Sequence, residues 1–179
     1  CVWESALAVL RLNQKFEFPN PEKLRRILVL EYGREDEFAV TVNGVAVALD
    51  DVPGVRFEKV IEIPDGGTAR VRFTISEDKK AVKGAGLGIR VGGKLVGRPT
   101  TLGLEDDEVL PEKLLKRVYG EIEADGLGDH VTADWGAIVE NSKPFQALKA
   151  EASAFLKGAI EATFKSEVNL AKARWEKEL

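Results

Sequence analysis

Methionine is absent from this chain, and cysteine and histidine occur once each, as Cys1 and His130. A single thiol can form no internal disulfide and no cysteine-built metal site. A single imidazole excludes a histidine-rich zinc centre, and a cysteine–histidine dyad would have to unite two residues far apart in the chain. His130 therefore reads as a solvated loop histidine. No apolar run approaches the ~20 residues of a membrane-spanning helix, and no basic-then-apolar leader is present. The expected location is cytoplasmic, with no membrane partner. A chain that starts at Cys1 and lacks Met cannot be an initiation product, which predicts a piece of something longer. Positive charge is not in excess: 26 Lys and Arg against 30 Asp and Glu leave a net −4. That balance argues against nucleic acid as a partner of the whole surface and makes any phosphate contact local.

What is present is an ordinary globular composition, 44% hydrophobic and 31% charged, in 179 residues, enough for one domain with a real core. The most distinctive stretch is Gly84–Pro99, GAGLGIRVGGKLVGRP. Leu87, Ile89 and Val91 alternate with Gly88 and Arg90, the period of a half-buried strand. Gly92-Gly93 supplies the positive-φ pair of a two-residue turn, and Lys94-Leu95-Val96 begins the return strand. From 79 to 104 there is no Asp or Glu, while Lys79, Lys80, Lys83, Arg90, Lys94 and Arg98 all fall there. The run suits either a grip on phosphate or simple protection of a sheet edge.

Around this hairpin the rest of the chain reads in order. Ala6–Leu12 is short and apolar, and Phe16 and Phe18 alternate with charge. Asn20 caps a helix with Pro21 at its first position, Leu24, Ile27, Leu28 and Tyr32 at helical spacing, and Gly33 as a left-handed stop. Phe38–Leu49 is a hairpin about Asn43-Gly44. Val55–Ile63 and Ala69–Ile75 are strands, the second with Arg70 and Arg72 on a charged outer face. Pro111 opens a short helix that turns Leu114 and Leu115 inward, and Val118–Ala124 is a further strand. Asp125–Asn141 is irregular. From Pro144 a long amphipathic helix closes the chain through Phe145, Leu148, Phe155, Phe164, Val168 and Trp175, with Gly158 as its weak point. The fold class is α+β: a mixed, mainly antiparallel sheet backed by helices, with a long C-terminal helix.

Several motifs approach known chemistry and stop short. Gly88-x-x-x-x-Gly93-Lys94 has the spacing of a phosphate loop, but Leu95 stands where a magnesium-binding Ser or Thr belongs, and the glycines sit in a hairpin rather than before a helix. Gly84-x-Gly86-x-Gly88 lacks the dinucleotide spacing. Glu105–Glu108 reads as a solvated acidic loop. Trp135 reads as an anchor that holds its loop to the core.

The succession of helix, Val42-Asn43-Gly44 hairpin, the Gly86–Val96 hairpin, Tyr119-Gly120-Glu121-Ile122 and closing helix resembles the second, or transducer, domain of GHKL-superfamily ATPases, nearest in flavour to MORC proteins and heat-shock-chaperone-like or gyrase-B-like bacterial ATPases. The resemblance covers about residues 5 to 165. It implies a ribosomal-protein-type transducer fold over 21–165, a last strand and linker of a preceding nucleotide-binding domain over 1–20, and a projecting helix end over 166–179. It also implies a mechanical role, in which ATP binding elsewhere in the parent is relayed into dimer closure or partner contact. ATP and magnesium then belong to the N-terminal ATP-binding domain of the same chain, and no cofactor or metal to these residues. The family supplies one cation to the terminal phosphate from a loop before the final helix. By order that loop is Thr132-Ala133-Asp134-Trp135 running on to Asn141 and Lys143. Asp134 and Trp135 stand where the basic residue is expected, so Lys143 is the nearest cation. Lys79, Lys80, Lys83, Arg90 and Lys94 are the alternatives. Phe145–Ile160 is expected on the sheet and Val168–Leu179 projecting, to pair either with another subunit, as a homodimer through the C-terminal helix, or with the missing part of the parent. The rival reading is a free-standing interaction module that uses the last helix or an open strand edge. An enzyme built on the glycine hairpin is a third.

Overall fold

The computed structural model describes residues 19–35, 38–65 and 67–178. The Ala6–Leu12 and Phe16–Phe18 segments lie outside the described residues. Helix α1 runs Pro21–Tyr32, and the Asn20 side chain accepts from the Lys23 N–H at 2.8 Å, as the capping residue should. Gly33 does not adopt the expected left-handed turn: its φ is −65°. It is small for another reason, since a Cβ there would lie 2.4 Å from the Val29 carbonyl oxygen.

The Asn43-Gly44 turn forms, with φ of 53° and 79°, but the hairpin it closes is shorter than its alternation suggested. β1 is Thr41–Val42 and β2 Val45–Ala46. A 3-10 turn over Leu49–Asp51 leads into β3 (Gly54–Ile63), which pairs with β4 (Gly67–Ser76) in unbroken register. The glycine hairpin follows as β5 (Gly86–Val91) and β6 (Lys94–Thr100), then α2 (Glu112–Leu115) and β7 (Val118–Glu123). The closing helix comes in two pieces, α3 (Lys143–Thr163) and α4 (Lys165–Glu178).

One five-stranded sheet takes the order β3-β4-β7-β5-β6. The late strand β7 inserts between the two earlier hairpins, antiparallel to β4 and parallel to β5. This makes the sheet mixed and mainly antiparallel. Ala69, Val71, Phe73 and Ile75 of β4 are each no more than 1% exposed and face α3. From α3, Leu148, Ala152, Leu156 and Ile160 are fully buried at spacings of four. Each large side chain so removed from water is worth about 1.5–3 kcal/mol, which is what holds the long helix on the sheet.

Two expectations for the closing helix need correction. The interruption falls at Phe164, which leaves the helical region at φ −120°, ψ 39°, and not at Gly158, which stays helical. Beyond it Val168 does not project: it is 2% exposed and joins the main core. The bend allows this return. The Arg117 guanidinium lies 4.1 Å from the Phe164 ring, and Glu167 pairs with Lys113 at 3.1 Å. The start of α4 is thus tied to α2 and to the turn that leads into β7.

Candidate functional site

On the sheet face away from α3, β5 is unlike an ordinary half-buried strand. Gly86, Leu87, Gly88 and Ile89 are all buried. Leu87, Ile89 and Val91 enter the main core, so the opposite face must be covered by something other than β5 side chains. The cover is Arg34, from just past α1. Its guanidinium donates to the carbonyl oxygens of Gly84, Gly86 (2.8 Å) and Gly120 (3.0 Å), and lies 4.1 Å from the centre of the Tyr119 ring. A Cβ on Gly88 would lie 3.3 Å from Arg34 Nε and 2.8 Å from Leu95 Cδ1. The glycine run is therefore a cradle of backbone carbonyls for the chain's own cation, the reverse of an anion-binding amide loop. Burial pushes the Arg34 pKa down, but an arginine stays charged in any ordinary solution.

A cleft opens beside Arg34, between Gly33 and Leu49 on one wall and Arg72, Tyr119 and Glu121 on the other. Its charges, and those beside it on the same sheet face, are largely spent on one another. Arg72 bonds Glu121 (2.6 Å) and Glu123 (2.7 Å), Arg90 bonds Glu121 (3.0 Å), and Arg70 bonds Glu58 (2.6 Å). These are cross-strand neighbours on one face, each cation beside a carboxylate. Arg34 Nε and Arg72 Nε are the two buried guanidine nitrogens without a hydrogen-bond partner among the described residues.

The basic run from 79 to 98 is divided. Lys79, Lys80 and Lys83 lie on the connection between the end of β4 and the start of β5, where Lys83 pairs with Glu31 and Val82 N–H bonds Lys116 O at 2.8 Å. Lys94 sits at the opposite end of β5, a six-residue strand whose length at roughly 3.3 Å per residue separates the two groups. Arg90 is committed to Glu121 and to the Gly93 carbonyl at 3.0 Å.

Lys94 does meet the other candidate element. Its Nζ is 5.4 Å from the centre of the Trp135 ring, and Gly97 N–H donates to Trp135 O at 3.3 Å. The stretch 125–141 is more ordered than its irregular sequence suggested. Asp125–His130 forms a 3-10 turn, and Val131 bridges Ile138 to close a small loop. At its tip Asp134 Oδ1 accepts from Thr132 Oγ1 (2.6 Å) and Gly136 N–H (3.1 Å), which hold its carboxyl below the usual range. Trp135 takes φ 57° and remains 39% exposed. It is not the buried anchor expected; the loop is held through its backbone and through Lys94. The Asn141 and Lys143 side chains are exposed at the foot of α3 and make no hydrogen bond or ion pair with the described residues.

The acidic run is likewise less uniform than expected. Asp107 is half-buried, pairs with Lys157 and accepts from Val109 N–H at 3.0 Å, while its neighbours Asp106 and Glu108 are exposed. Among the described residues no three His, Cys, Asp or Glu side chains converge as metal ligands, and no helix is long and apolar enough to cross a membrane. Nothing in the local pattern around Arg34 singles that residue out. The signal for it was glycine at alternate positions of one strand, Gly84, Gly86 and Gly88, which leaves a sheet face that some other residue must fill. No family model, curated protein or solved structure matches this chain.

Proposed function

We propose that this domain is a contact and relay module whose partner is an ATP-binding domain of the same chain, the role that the GHKL transducer resemblance implies. The observation that carries the reading is a set of large apolar side chains left half-exposed on α1 and the chain that follows it: Ile27 is 46% exposed, Tyr32 44%, Phe38 50% and Val45 60%. The Tyr32 and Phe38 rings are 5.9 Å apart, and Arg25 ties helix to hairpin by donating to Val45 O at 2.9 Å and bonding Asp51 at 2.6 Å. Several large apolar side chains half-exposed on neighbouring, braced elements suit surfaces that a partner covers. Covering three or four of them is worth several kcal/mol, at roughly 1.5–3 each. Such an area can couple a partner's movement to this domain. Lys143, exposed at the N-terminus of α3, is the cation that this reading sends to the nucleotide.

The test uses the full-length protein that contains this chain. Replacing Ile27 and Phe38 together by Asp is expected to lower steady-state ATP turnover about tenfold, the loss of about 1.4 kcal/mol of coupling, with the domain's melting temperature unchanged. Lys143→Ala is expected to lower turnover as well. Titration of this chain alone with Mg-ATP is expected to give no binding heat. Unchanged turnover in both variants, or micromolar ATP affinity of the chain alone, overturns the reading. An upstream reading frame without an ATP site favours the rival, an interaction module without nucleotide chemistry that offers the same surface to another protein.

A further inference from the structure

The two edges of the sheet are treated differently. On the β6 edge the chain closes itself off. Gly97 takes φ 64°, the β5–β6 register shifts beside it, Pro99 removes a donor, and the Thr132–Ala137 loop docks there through Trp135 O. On the β3 edge there is none of this. Its ten residues contain no proline, run in continuous register from Gly54↔Ser76 to Ile63↔Gly67, and pair with no outer strand among the described residues. A long, unbroken edge that no outer strand covers among the described residues presents a row of N–H and C=O groups, which natural proteins ordinarily blunt. The usual guard is an inward lysine. Here Lys59 occupies that position, but its Nζ is drawn to Glu151 at 3.1 Å, over the Phe155 ring, and away from the edge.

Along this edge α3 leaves a shallow groove, with Ala147, Ala150 and Glu151 on one side and Lys59–Glu62 on the other. Small side chains on the helix leave room for a strand to lie against β3. We propose that the β3 edge and the flank of α3 form a docking groove for an extended peptide segment of another protein, added as a sixth strand. This goes beyond the relay reading and does not depend on it. The surroundings specify the peptide. Its α3-facing residues meet Ala147 and Ala150 and should be small or branched apolar. Its opposite face runs beside Val60, 59% exposed, and Glu62, which has no ion-pair partner among the described residues, and should carry a basic residue. A second copy of this chain fits less well. Antiparallel self-pairing centred on Glu58 or Lys59 sets like charges face to face, and it brings a second α3 over the same strands.

The experiment follows backbone amide exchange across Arg56–Glu62 in this chain, with and without the synthetic heptapeptide Val-Lys-Val-Lys-Val-Lys-Val. Protection of the outward amides is expected to rise at least about tenfold at saturating peptide. The same peptide N-methylated at alternate residues keeps its charge but loses its donors, and should protect nothing. Ala150→Trp fills the groove from the helix side and should abolish the effect. Should that variant fold poorly, Glu62→Lys serves: it should weaken this peptide several-fold and favour Val-Glu-Val-Glu-Val-Glu-Val instead. Four results overturn the proposal: equal action of the N-methylated peptide, no added protection, outward β3 amides already as protected in the chain alone as those of β4, or a dimer by light scattering that the peptide does not dissociate.

Discussion

Removing the Arg34 guanidinium should loosen α1 from the sheet without disturbing the main core. Arg34 bonds three carbonyls, those of Gly84, Gly86 and Gly120, and stacks 4.1 Å from the Tyr119 ring. A hydrogen bond to a charged group is worth roughly 1.5–3 kcal/mol, and a cation–π contact roughly 0.5–2. The gross sum would exceed the stability of many domains, but it is not the cost of truncation. The cleft beside Arg34 is open to solvent, so water can reach the freed carbonyls and recover most of their bonding. The expected net loss for Arg34→Ala is about 3 kcal/mol, or roughly 6–12 °C in melting temperature for a chain of this size. Arg34→Lys keeps the charge but cannot fork to three acceptors, and should restore no more than about half.

Two measurements separate this account from general damage. Gly88→Ala alone should cost stability, because its Cβ would crowd Leu95 and Arg34. In the Arg34→Ala background that cost should shrink, giving a coupling of about 1 kcal/mol in a double-mutant cycle followed by urea unfolding. Tyr119 makes an independent tie, its hydroxyl donating to Val29 O at 3.0 Å, so Tyr119→Phe should add to Arg34→Lys rather than couple strongly with it. The reasoning is refuted if Arg34→Ala unfolds within about 0.5 kcal/mol of the parent, or if Lys fully replaces Arg.

Two further outcomes follow from the corrected features. Val168→Asp places an unpaired carboxylate in the core and should cost about 3 kcal/mol by urea denaturation; a change under about 0.5 would return α4 to a free, projecting helix. Asp107 is held below the ordinary carboxylate range, first by its bond to Lys157 and then by the Val109 and Leu110 amides, so the unfolded chain takes up that proton first as pH falls. The stabilisation is therefore complete above about pH 5, is lost on acidification through the folded pKa, and should be missing from the acid limb of Asp107→Asn stability curves.

Much of the local structure was written in short signals. Asn20 before Pro21, Asn43-Gly44 and Gly92-Gly93 each place a boundary within a residue, because the Asn20 side chain makes the cap and Asn and Gly tolerate the positive φ of the turns. Leu114 and Leu115 point inward as their placement predicts, 0% and 2% exposed. What local pattern does not encode is which strands meet. The insertion of β7 between β4 and β5 depends on non-local fit: a Cβ on Gly120 would come within 2.3 Å of Phe73 Cβ, so that position has to be bare for Phe73 to enter the core. Likewise the helix break at Phe164 has no Gly or Pro to announce it. It is set by the pull of Val168 into the core and of Phe164 onto Arg117, both tertiary contacts.

The glycine hairpin shows how a true local reading can point to the wrong chemistry. Its turn and its alternation are as the residues imply, and its lysines are real. Yet glycine lowers the barrier to any close approach, and the sign of the group that approaches is decided by which backbone atoms face it. In a phosphate loop free amides converge, and an anion follows. At β5 the carbonyls of Gly84 and Gly86 converge with that of Gly120, so the occupant must be a donor, and Arg34 supplies it from the end of α1. With that site filled from within, the surfaces that stay uncovered among the described residues include the exposed Ile27 and Phe38 on and just after α1, and the β3 edge, which pairs with no outer strand there.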